Sequence, residues 1–213
     1  AGVMTGNGHN NIFGYEAGYN MANGNNNNLF GYRAGKNLVD STQNNVMGNF
    51  ALETAETTYF NNIFGYCAGR YMTTGSQNNF FGCEAGNNCL SGSNNQIIGH
   101  QAGKHLTTGS HNVMIGYRAG YAGVITGKYN YAIGFKAGEN LTSGAQNQMV
   151  GYLAGSNIET GHNNALVGQS AGINIVDGLY NVAIGRQSGP TGDYDNTICI
   201  GYQTTVDGDN MCR

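Results

Sequence analysis

Along the chain, two apolar residues followed by glycine return at a near-constant interval. The glycines are Gly14, Gly31, Gly48, Gly65, Gly82, Gly99, Gly116, Gly134, Gly151, Gly168, Gly185 and Gly201, spaced by 17 residues except for one interval of 18 and a last one of 16. Polar positions keep the same register. Four residues before the glycine stands Asn, from Asn10 to Asn181, with Thr197 in the twelfth unit. Three after it stands Ala, from Ala17 to Ala171, then Ser188 and Thr204, and a second Gly follows in most units. With h for an apolar residue, the unit reads N-x-h-h-G-Y-x-A-G-x-N-h-x-[TSND]-G-x-x. Such a repeat decides the architecture before any single residue does. Gly recurs too often for helix, and no 3.6-residue apolar period exists. A unit with two Gly turns has room for two strands of about four to six residues. The expected fold is all-β: a parallel β-solenoid of twelve coils of about 17 residues. Hydrogen bonds between coils set a rise of about 4.8 Å.

The residue types fit those places. Gly supplies positive φ at turns, and Asn tolerates it while bonding nearby backbone. Stacked identical Asn residues form amide ladders. Adjacent strand residues point to opposite faces. One apolar column, Ile12, Leu29, Val46, Ile63, Phe80, Ile97, Met114, Ala132, Met149, Leu166, Ala183 and Cys199, fills the thin interior. The next, Phe13, Phe30, Met47, Phe64, Phe81, Ile98, Ile115, Ile133, Val150, Val167, Ile184 and Ile200, then faces outward. A continuous apolar stripe is too large to leave in water. A thin coil also encloses little volume alone. These residues are therefore the expected oligomer interface of a parallel homotrimer, and the chain is its own expected partner.

Composition narrows the classes further. With 9 Lys+Arg against 12 Asp+Glu there is no basic surplus for nucleic acid. No apolar run exceeds three residues, so no segment inserts into a membrane as a helix. Charged residues are only 10%, yet 14 Tyr and 8 Phe argue for order. The pattern is already running at Ala1-Gly2-Val3-Met4, as expected for a segment of a longer protein. The domain reading is one β-solenoid over 1–213, regular over 1–189 and degenerate over 190–213.

The unit N-x-h-h-G-x-x-A resembles the head repeats of trimeric autotransporter adhesins, the YadA-like left-handed parallel β-roll. Its longer form, Asn61-Asn62-Ile63-Phe64-Gly65-Tyr66-Cys67-Ala68-Gly69 with Thr73-Thr74-Gly75-Ser76, is similar to repeats of phage tail-fibre proteins. The resemblance covers almost the whole chain. It implies a rigid trimeric stalk or head that mediates attachment to a host-surface glycan or protein, on a virion fibre or a bacterial surface. The adhesin repeat is usually nearer 14 residues, so the extra turn bears on coil shape.

Candidate chemistry is sparse. Carboxylates are few and scattered, and no nucleophile elbow or phosphate loop occurs, so no enzyme activity is expected. No catalytic residue, cofactor or metal site is assigned. Tyr117, Tyr121, Tyr129 and Tyr131 surround the single insertion and are the candidate glycan contacts. His100, His105 and His111 lack metal-ligand spacing. Asp193, Asp195, Asp207 and Asp209 suit Asp-Gly turns as well as Ca²⁺. Asn49–Glu56 replaces the usual turn and reads as a tolerated loop or a projecting contact loop. Cys67, Cys83, Cys89, Cys199 and Cys212 form no framework, although Cys83 and Cys89 are close enough for a disulfide. Mostly free thiols suit assembly in a reducing cytoplasm, as for a virion protein. Asn140-Leu141-Thr142 is a sequon of the kind an Asn-rich chain yields by chance. The alternatives of another class are an ice-binding solenoid, which needs a regular exposed Thr array, and a pure spacer rod.

Overall fold

A computed structural model of the chain describes residues 8–213. Among them there is no α-helix, and the fold is a parallel β-solenoid. The chain divides into two compact units between Thr108 and Gly109. In the first, β1 (Asn11–Phe13), β2 (Asn28–Phe30), β3 (Asn45–Met47), β5 (Asn62–Phe64), β7 (Asn79–Phe81) and β8 (Gln96–Ile98) pair in that order, all parallel. A small second sheet pairs β4 (Thr57–Tyr59) with β6 (Thr74–Ser76). In the second unit β9 (Val113–Ile115), β10 (Tyr131–Ile133), β11 (Gln148–Val150), β12 (Ala165–Val167), β13 (Val182–Ile184) and β14 (Ile198–Ile200) pair in chain order. Register follows the repeat, so Ile63 lies beside Phe80 and Met149 beside Leu166.

Two strands of four to six residues per coil were expected; most coils carry one strand of three. The rest of each coil is bent by left-handed residues. They stand two and four positions after the anchor glycine and five before it, as at Arg33 (φ 56), Gly35 (φ 56) and Gln43 (φ 59). Extended structure cannot run through them. Coil-to-coil bonding nevertheless continues through the turns: Gly35 N donates to Ala51 O at 2.9 Å and Asn20 N to Lys36 O at 2.8 Å.

Three apolar columns make the interior. They are the middle strand residues, the Ala three after the anchor, and an apolar residue seven after it, such as Leu38, Met72, Leu141 and Ile158, all fully buried. Coil three departs from the consensus without projecting. Leu52 takes the place of the second glycine, with φ 51 and complete burial. The other interior positions of that coil are the small Val46, Ala51 and Ala55, so Leu52 supplies the missing volume. Asn49–Glu56 is thus part of the coil.

The interior also holds an asparagine ladder. Asn61 Oδ1 accepts from the backbone N of Asn78 at 2.9 Å and from its Nδ2 at 3.1 Å. Its own Nδ2 donates to Asn44 Oδ1 at 3.0 Å and Gly75 O at 3.1 Å. The same pattern runs from Asn130 through Asn147 to Asn164, and Thr197 closes it on Asn181 Oδ1. These residues are almost wholly buried, and each satisfied amide avoids a desolvation penalty. Asn61→Ala should therefore cost about 2–4 kcal/mol, since it strands the Asn78 N–H and a buried carbonyl. Urea denaturation measures this; a loss within error of zero would mean that water replaces the amide freely.

Candidate functional site

Strand pleating sets the main candidate surface. In every strand of the main sheet after β1, where Ile12 is half-buried, the middle residue is buried while its successor is exposed or half-buried, which fulfils the expected division of the two apolar columns. Outward residues stay well exposed: Phe30 39%, Met47 47%, Phe81 38%, Val167 41% and Ile200 58%. Phe64 and Phe81 stack at 5.0 Å with their planes 4° apart. The column two places earlier differs between the units. In the first, Asn11, Asn28, Asn45, Asn62 and Asn79 form an outer amide ladder with links of 2.6–2.8 Å. In the second it is Val113, Tyr131, Gln148, Ala165, Val182 and Ile198, so the outer face is apolar across most of its width.

The four candidate tyrosines do not form one platform. Tyr117 stacks on Phe135 at 5.2 Å, which stacks on Tyr152 at 5.1 Å. The Arg118 guanidinium lies over the Tyr117 and Tyr121 rings at 5.6 and 4.2 Å. Tyr129 stands at a different corner, stacked on His111 at 4.8 Å. Tyr131 belongs to β10 and the outer sheet face. Sugar stacking needs an open ring face, and the ladders cover one face of Tyr117 and of Tyr129. No protein-family model, curated protein or solved structure matches this chain. The residues themselves must carry the functional reading.

The other candidates have structural duties. Asp193 Oδ1 accepts from the backbone N of Val176, Asp177 and Gly178 at 2.9, 2.9 and 2.7 Å. Asp195 Oδ1 accepts from Leu179 N, and Asp209 Oδ1 from Asp195 N. The short last interval puts carboxylates where other coils place backbone carbonyls; Glu159 N and Gly161 N, for example, donate to Val176 O. His105 Nδ1 lies 3.0 Å from Asn88 Nδ2, and burial lowers its pKa, with Lys104 adding to the effect. Hydrogen bonds from Lys104 and Gln101 hold the Glu84 carboxyl below its ordinary range. Among the described residues no three His, Cys, Asp or Glu side chains gather as a metal site. In the column before the second turn glycine, which an ice-binding face would use, Asp40 and Asp177 interrupt the threonines, and the Thr160 hydroxyl donates to Asp177 Oδ1 at 2.5 Å.

All five thiols are unpaired, Cys83 and Cys89 included, so the disulfide considered for those two is not formed. Burial pushes the Cys89 thiol up to about 12. Its folded pKa lies above the ordinary thiol value of about 8.5, so the stabilising contribution of the neutral thiol is complete below pH ~8.5 and lost between there and pH ~12. A thiol reagent at pH 8 should label exposed Cys212 at once and Cys89 only on unfolding. Rapid labelling of Cys89 in the folded protein would show that its coil opens readily.

Sequence reasoning missed one surface feature. Thr126, Gly127, Lys128, Tyr129, Ser143, Ala145 and Gln146 line an open groove of about 390 Å³. Its only signal in the sequence is a small residue, Ala145, in the column that carries Lys128 and His162 on either side.

Proposed function

We propose that this chain is a non-enzymatic segment of an attachment fibre, a parallel homotrimer joined along the outward apolar column. The observation that carries the reading is exposure of that column within each unit, at Phe30, Met47, Phe81 and Ile98 in the first and at Val150, Val167, Ile184 and Ile200 in the second. An apolar surface of that continuity needs a cover. A second copy has the same 17-residue period and matches it coil for coil. The fully satisfied interior and the low charge suit a stiff element that sets distance and presents a contact to a host-surface glycan or protein. Five unpaired thiols favour assembly in a reducing compartment, hence a virion fibre over an exported bacterial adhesin head.

Light scattering after size exclusion tests the assembly. The expected mass is three times 22.5 kDa. A stable monomer would overturn the trimer and move weight to a self-contained solenoid.

A further inference from the structure

In three coils the side chain six residues before the anchor accepts a hydrogen bond from the backbone N–H of the same position one coil earlier, whereas the Asn25 and Thr42 N–H groups of that column donate to the backbone carbonyls of Ser41 and Thr58. Ser93 Oγ accepts from Ser76 N at 3.1 Å, His162 Nδ1 from Ala145 N at 3.0 Å, and Asp195 Oδ1 from Leu179 N at 2.7 Å. At Lys128 the series breaks. The residue one coil on is Ala145, which has no acceptor, and the Lys128 N–H has no partner among the described residues. The Lys128 ammonium also has neither a carboxylate nor a ring, unlike Lys36, Lys104 and Lys136, which are paired at 2.8, 2.9 and 3.1 Å. At His162 the following residue, Leu179, also lacks an acceptor, but it is a half-buried leucine rather than an alanine. Ala145 instead leaves the groove of about 390 Å³, rimmed by the Thr126 and Ser143 hydroxyls, the Tyr129 ring and the Gln146 amide.

We infer that this groove binds a carboxylate-bearing sugar, whose carboxylate takes the missing acceptor's place on the Lys128 N–H beside the Lys128 ammonium. The chain contains its own precedent, since the Asp195 carboxylate occupies the equivalent place in a later coil. An orphaned donor next to an unpaired cation selects an anion. The hydroxyl and amide rim supplies partners for ring hydroxyls, and the volume admits one or two sugar rings. The inference rests on the attachment reading and gives it a ligand class, a site and a set of residues.

Calorimetric titration of the full chain with trigalacturonate, maltotriose and acetate tests it. Trigalacturonate should bind, while maltotriose and acetate should bind at least about tenfold more weakly. Ala145→Asp should abolish binding, because it installs the carboxylate that Asp195 supplies elsewhere. Lys128→Gln should weaken it about tenfold, and salt should weaken it in the parent chain. Tyr129→Asn, which introduces the residue of the same column at Asn163 and Asn196, keeps the fold and should weaken it less. Equal binding of maltotriose, no binding of trigalacturonate, or unchanged binding by Ala145→Asp would each overturn the site. Scattering mass on the same samples reports assembly separately, so a lost site and a failed fibre reading are told apart.

Discussion

Gly134→Ala should cost the second unit at least about 4 kcal/mol, close to its whole stability. The anchor glycine has φ 138, a conformation L side chains rarely adopt. An added Cβ would lie 2.3 Å from the Gly151 carbonyl oxygen of the next coil. That atom is backbone and is fixed by the stacking of further coils, so it cannot move aside alone. Gly208→Ala is the matched control: its Cβ meets only the end of the Met211 side chain, at 3.3 Å, and a change within about 0.5 kcal/mol is expected. Urea melts of both variants decide the matter. Equal stability would mean that the coils are not stacked at backbone contact along the anchor column.

Phe64→Asp and Phe81→Asp should abolish assembly while leaving each chain folded. Both side chains point away from the interior, and their stacked pair contributes to the outer face alone. In a parallel trimer either change puts three carboxylates at one level of an apolar seam. Burying one unpaired charge already costs several kcal/mol, and like charges repel. Scattering should report the monomer mass, with the circular dichroism spectrum of a β protein retained. Variants that remain assembled with parent stability would show that the apolar column is not the seam.

Much of this architecture was legible because the repeat samples each position many times. The columns of Leu29 and Phe30 alternate in burial as strand periodicity requires, and the buried Asn column follows from its constancy. Strand length was less legible. The left-handed position two after the anchor is filled by Glu16, Arg33, Cys67, Lys136 and Leu153, none a residue that announces positive φ. Hydrogen bonds to the neighbouring coils impose that conformation, as where Arg33 N donates to Tyr15 O and Leu153 N to Phe135 O. A local signal cannot report a constraint that comes from the coil above. The tyrosines were misgrouped for a related reason: Tyr117 and Tyr129 are near in sequence, but a turn of the coil sends them to different corners. The groove was missed because its evidence is an absent acceptor, visible only once the stacking column is known.

The ladder of bonds from one coil to the next has a mechanical consequence. Within each unit those bonds lie along the stacking direction, so a pull on the ends of the stack loads them one coil at a time. A single chain should yield in small, evenly spaced steps, each freeing one 17-residue coil, roughly 55 Å of extended length. Three chains sealed side by side would have to peel together, and the force at which the first step appears then reads out how firmly the seam holds.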